Sequence, residues 1–176
     1  MESIKPLNEI LEPDFRNTIR QVSFPGVSPR PIDLEDMHSR ISEITLDKNV
    51  PDDVRTQFVQ AQNLAVYAWF CYQFHTTSEL AAFAAVEMGL RRRYSSKSSL
   101  AHLIRRAAQD GLITDQGFSV GRNREPDGRR YVDILSEVLP TLRNVLAHGS
   151  TTMHPFSYTS LHICADFINQ VFNADA

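Results

Sequence analysis

Three polar residues stand inside an apolar run near the end of the 176-residue chain: Arg143, Asn144 and His148, in Leu142-Arg143-Asn144-Val145-Leu146-Ala147-His148-Gly149. Asn144 and His148 are four apart, so on a helix they share one face. Arg143 then lies about 100° round from Asn144, at roughly 3.6 residues per turn. Gly149 lets the chain turn sharply just after His148. A fixed cation, an amide and an imidazole at one helix end suit attack on a phosphodiester. RNA supplies its own nucleophile, the 2′-hydroxyl. Cleavage then needs a base for that proton, a cation for the phosphorane charge and an acid for the leaving oxygen. Histidine titrates near neutrality and serves as base or acid. Arginine stays charged and pairs with two phosphate oxygens at once. Asparagine orients the phosphate or the imidazole through its two-sided amide. The scheme requires no metal and no cofactor. One histidine leaves one proton-transfer role unfilled. A twofold dimer would fill it, with one His148 as base and the other as acid across a cleft. The competing reading of His148 is a capped core histidine.

Glu87 is the second residue of interest. It falls on the apolar face of Phe83, Ala84, Leu90 and Tyr94, where a carboxylate is costly unless paired. It either orients Arg143 as a supporting residue or pairs with Arg91, four residues on in the same helix. The net charge is -3, yet residues 89–148 hold eleven Arg or Lys against six Asp or Glu. That basic third offers Arg92, Arg93, Arg122, Arg124, Arg129 and Arg130, with Arg91, Arg105 and Arg106, as an RNA-backbone track. The alternative is a solvated basic face. Trp69, Tyr67, Tyr72 and Phe74 sit at helical spacing, which marks core residues ahead of base-stacking ones. His75 reads as a helix-end residue and His102 as a surface one. No phosphate-binding glycine loop, His-Glu-x-x-His helix or nucleophile elbow is present. His154 and His162, eight apart, make no convincing metal pair.

These residues need a scaffold, and the periodicity points to helices. Residues 1–31 carry five of the nine prolines, which implies an extended or turn-rich segment. Asp33 precedes Leu34, Met37, Ile41 and Ile44, the spacing of a short amphipathic helix with an acidic first turn. Pro51, Asp52 and Asp53 open a longer one. Its stripes are Val54, Phe58, Ala61, Ala65, Ala68 and Tyr72 on one side, and Leu64, Tyr67, Cys71 and Phe74 on another. A helix apolar on two sides belongs at the centre of a bundle. Thr76-Thr77-Ser78-Glu79 has capping-box spacing and predicts a helix start there, with the end at Arg91-Arg92-Arg93. Residues 95–99 read as a turn. Leu100, Leu103, Ile104 and Ala107 begin a helix that Gly111 closes. Residues 114–130 read as a basic loop. Tyr131, Ile134, Leu135 and Val138 resume helical spacing, Pro140 interrupts it, and Thr141–His148 follows as a second segment. A last helix spans about 157–172, with Leu161, Ala165, Ile168 and Phe172 inward. The expected fold is all-α, an antiparallel bundle of four to six helices. Residues 1–50 form a proline-rich extension with one short helix, and residues 51–176 form the helical domain.

Composition agrees with an ordinary globular domain: 42% hydrophobic and 22% charged residues exclude wholesale disorder. Two cysteines, Cys71 and Cys164, are too few for a disulfide framework. Residues 1–30 carry Glu2, Glu9, Glu12 and Asp14 where a signal peptide would be apolar. The longest apolar stretch, about residues 63–74, is too short for a bilayer. The expectation is a cytoplasmic protein without a membrane partner.

Arg143-Asn144-x-x-x-His148 resembles the Arg-x(4–6)-His motif of HEPN domains, including the polar residue that commonly follows the arginine. Upstream, Ser78-Glu79-Leu80, Ala85-Val86-Glu87-Met88-Gly89-Leu90-Arg91 and Leu100–Leu112 are similar to that family as well, so the likeness covers about residues 52–172. The resemblance implies a helical bundle that dimerises with paired motifs in a cleft. It also implies a metal-independent endoribonuclease acting on single-stranded RNA, in a toxin–antitoxin, anti-phage or RNA-processing setting. Arg143 and His148 would be catalytic, with Asn144 assisting. An antitoxin or a nucleotidyltransferase would be the protein partner. Other HEPN proteins have lost catalysis and bind RNA or nucleotides, or serve in assembly, and that is the alternative. The proline-rich N-terminal segment and Pro140 depart from the family pattern.

Overall fold

A computed structural model describes residues 3–19, 21–22, 29–120, 128–150 and 157–173. Among these residues the regular structure is helical, apart from a two-residue antiparallel pairing of Gln21–Val22 with Arg30–Pro31. Seven helices are present: α1 (Phe15–Thr18), α2 (Leu34–Ser42), α3 (Asp52–Tyr67), α4 (Phe74–Tyr94), α5 (Leu100–Gln109), α6 (Tyr131–Ala147) and α7 (Ser157–Asn173). The count exceeds the expected four to six because α1 is a single turn, capped where the Asp14 side chain accepts from the Arg16 N–H.

The local signals for α2 and α5 work as the sequence suggests. Asp33 and Asp36 form a reciprocal capping box at the start of α2. Ser99 caps α5. Gly111, at φ +73°, ends it, with the Leu112 N–H reaching the Ala107 carbonyl at 2.9 Å.

Three expectations need correction. The first concerns α3, which stops at Tyr67. Residues 68–73 form turns, so Cys71 and Phe74 never extend its second stripe, and Tyr67 and Phe74 are exposed. Only the face of Val54, Phe58, Ala61 and Ala65 is buried. The central helix is α4, which packs on α3, α5, α6 and α7 and buries residues on all its sides.

The second concerns Thr76–Glu79, which lie inside α4 and do not cap its start. Ser78 donates to the Ala61 carbonyl at 2.8 Å, and Glu79 accepts from Ser160 at 2.7 Å. The polar groups of Ser78 and Glu79 therefore serve neighbouring helices. The third concerns Pro140, which lies within a continuous α6.

Residues 32–50 share in the packing: Ile41, Ile44 and Val50 join the main core, while Ile32 and Met37 pack with Ala68 and Trp69. Trp69 and Tyr72 are buried, which removes them as base-stacking surfaces. Farther upstream, buried Asn17 donates to the carbonyls of Ala68 (2.8 Å) and Trp69 (3.1 Å). The N-terminal segment is thus fastened to the α3–α4 turn, yet Ile4, Leu7, Leu11, Phe15 and Ile19 on it are exposed.

Candidate functional site

Helix α6 carries the three motif residues. Its start is held from a distance: the Asp115 carboxylate accepts the N–H groups of Tyr131 (2.9 Å) and Val132 (3.0 Å). This satisfies orphan donors and places negative charge at the positive helix end. Tyr131, Val132, Leu135, Ser136 and Leu139 face the core. On the outer face Val138, Leu142 and Val145 remain 43%, 41% and 50% exposed.

His148 occupies the position that ends α6, its N–H bonded to the Asn144 carbonyl at 3.0 Å. Gly149 follows at φ +90°, in the left-handed conformation that only glycine adopts cheaply. Asn144 and His148 are both exposed, so His148 is not a capped core histidine. Its imidazole makes no hydrogen bond among the described residues and is open to a ligand.

Arg143 is held from the neighbouring helix. Its Nη2 donates to Glu87 Oε2 at 3.0 Å, and its Nη1 donates to Asn144 Oδ1 at 3.2 Å. The other oxygen of Glu87 pairs with Arg91 Nη2 at 2.6 Å. Glu87 therefore does both of the things the sequence left open. It is 8% exposed, and one buried carboxylate tethers two guanidinium groups from α4 and α6. The cost of burying its charge is met by a charge-assisted hydrogen bond from Arg143 and an ion pair with Arg91.

The wider arginine set divides. Arg92 pairs with Asp53 at 2.8 Å, Arg129 with Glu137 at 3.3 Å and Arg130 with Asp133 at 2.8 Å. These side chains are exposed, but acidic neighbours offset their charge. Arg93 is half-buried at the end of α4. Arg106 lies over the Tyr94 ring at 4.2 Å and beside Asp110. Arg122, Arg124 and His154 lie outside the described residues.

Several partnerships had no local signal in the sequence. Asp115 reaches α6 from 16 residues upstream, and His75, buried near the start of α4, bonds Ser157 Oγ at 2.7 Å. His102 is exposed. Cys164 is buried within the core, and burial pushes its thiol pKa up, which keeps it protonated and unreactive. Among the described residues no three His, Cys, Asp or Glu side chains gather as a metal site, and no helix is long and apolar enough to cross a membrane.

A separate groove of about 590 Å³ opens between α2 and α3, lined by Leu34, Ile41, Phe58, Val59, Val66 and Phe70 among others. Its ionisable residues are His38, Arg55 and Tyr67, and Arg55 is committed to the carbonyls of Leu46, Asp47 and Val50. The three motif residues lie apart from it, at the end of α6. Comparison with protein-family models, curated proteins and solved structures finds no significant match.

Proposed function

We propose that the chain is a HEPN-type endoribonuclease that cleaves single-stranded RNA without a metal, working as a homodimer of antiparallel helical bundles. The observation that carries this reading is Arg143, aimed by the buried Glu87 and bonded to the exposed Asn144, with the exposed His148 one turn after Asn144 on the same helix. A guanidinium fixed by a second helix costs little further ordering when it meets a phosphate. In the reaction one His148 takes the 2′-hydroxyl proton. The 2′-oxygen attacks phosphorus, and Arg143 offsets the charge that develops on the phosphorane. The 5′-oxygen leaves with a proton from the partner's His148. The products are a 2′,3′-cyclic phosphate and a 5′-hydroxyl.

The exposed stripe of Val138, Leu142 and Val145 supports the dimer. It runs along α6 toward His148 at helical spacing, so a twofold contact there would bury it and draw the two histidines together.

The test is end-labelled RNA incubated with purified protein in excess EDTA. The wild type cleaves and leaves 2′,3′-cyclic ends, while Arg143→Ala and His148→Ala do not cleave and remain folded. Binding of RNA without cleavage would replace this reading with a binding module. Equal cleavage by wild type and His148→Ala would move the site elsewhere.

A further inference from the structure

The Glu87 bridge has a second end. We infer that Arg91 binds the RNA phosphate next to the one held by Arg143, so that the site grips two consecutive phosphodiesters. The inference rests on the ribonuclease reading and extends it to how the substrate is held. Arg91 and Arg143 come from different helices and leave opposite oxygens of one carboxylate. Their side chains are 48% and 36% exposed, whereas that of Glu87 is 10% exposed. The carboxylate is therefore the buried anchor, and the cations are the groups presented to solvent. Two positive charges on one negative leave an excess of one, open to an anion.

The donors agree with this count. A guanidinium has five N–H groups. Glu87 engages Nη2 of each arginine, and Asn144 engages Nη1 of Arg143. Both side chains keep N–H groups for phosphate oxygens. A flexible arginine loses entropy on binding, and prior anchoring by Glu87 removes part of that loss. Arg91 is followed by Arg92, whose charge Asp53 offsets, so the unbalanced charge next to Arg143 is that of Arg91 itself.

The experiment measures binding of wild type and Arg91→Gln to a 2′-O-methyl RNA 12-mer, which cannot be cleaved, across a salt series. Each phosphate neutralised on a single strand contributes about 0.7 to the slope of log K against log salt. The expected result is a slope shallower by about 0.7 in Arg91→Gln, with several-fold weaker binding at low salt. Competition with 2′-O-methyl dinucleotide and trinucleotide separates binding from a structural role. The wild type gains affinity on passing from one phosphate to two, and Arg91→Gln loses that gain. An Arg91 that only braced Glu87 would weaken both competitors equally, and this would overturn the inference. An unchanged slope in Arg91→Gln would also overturn it while leaving the ribonuclease reading intact. Failure of the wild type to bind the 12-mer would overturn the ribonuclease reading and this inference with it.

Discussion

Replacing Glu87 by Gln keeps the shape of the side chain and removes the charge that two arginines share. The Arg143 bond crosses between helices at 3.0 Å, with the carboxylate side chain 10% exposed and the guanidinium side chain 36% exposed. A hydrogen bond between charged groups is worth about 1.5–3 kcal/mol when buried. The exposed arginine brings this down to about 1.5 kcal/mol. The Arg91 bond is an i,i+4 pair within α4, worth about 0.5 kcal/mol. The summed loss is about 2 kcal/mol, which in a domain of this size lowers Tm by roughly 4–8 °C. Urea unfolding of Glu87→Gln, Arg143→Gln and the double variant gives the coupling energy directly. RNA cleavage measured beside it should fall at least tenfold in kcat/KM, because Arg143 loses its aim. A coupling energy near zero would refute the view that the carboxylate holds Arg143. Full cleavage by a destabilised Glu87→Gln would refute the view that this hold matters to the site.

Three further outcomes follow from the packing. His162 is half-buried with its ring 4.6 Å from that of Tyr158, and burial lowers its pKa despite the nearby Asp166 and Glu43 carboxylates. The native state thus resists its protonation, so this stability is complete above about pH 6.5 and is lost as pH falls through the lowered native value. Urea midpoints should drop over that range in the wild type and drop less in His162→Gln. Asn17→Ala takes from the Ala68 carbonyl its side-chain donor and from the Trp69 carbonyl one of two, the Asp14 N–H remaining, at a cost of about 2 kcal/mol. Limited proteolysis should then cut the N-terminal segment faster. Pro140→Ala supplies the backbone donor that α6 lacks at that turn and should raise stability by up to about 3 kcal/mol, read as a higher urea midpoint.

Legibility of the fold followed the range of the forces involved. Helices α2 and α5 are bounded by their own residues, Asp33 with Asp36 and Ser99 with Gly111, and these could be read locally. The end of α3 could not. Ala68 and Tyr72 keep the helical period and are buried, but the backbone leaves the helix between them. Part of what holds that turn is distant, since Asp14 donates its N–H to the Trp69 carbonyl at 2.8 Å and Asn17 bonds the same carbonyl. Thr76–Glu79 misled for a related reason. A polar run at capping spacing looks the same whether it satisfies its own helix end or the groups of two other helices. Pro140 carries a large local penalty, which by itself predicts a break, yet core packing of Leu135 and Leu139 keeps α6 whole around it.

The site shows the same division at the scale of single residues. Spacing alone placed Asn144 and His148 on one face at a helix end, because a 3.6-residue period is a local property. It could only offer Glu87 a choice of partners, since Arg91 is four residues away and Arg143 is 56. A carboxylate has two oxygens, and the fold uses one for each arginine, so the choice was never exclusive. A buried acid on an apolar helix face needs more than one donor to offset its desolvation. The intrahelical partner alone is half-exposed and supplies too little. The second guanidinium therefore has to come from another helix, and the packing of α6 against α4 brings Arg143 to it. The position of the motif arginine is thus tied to the stability of the core beneath it, and a substitution at Glu87 should disturb both together.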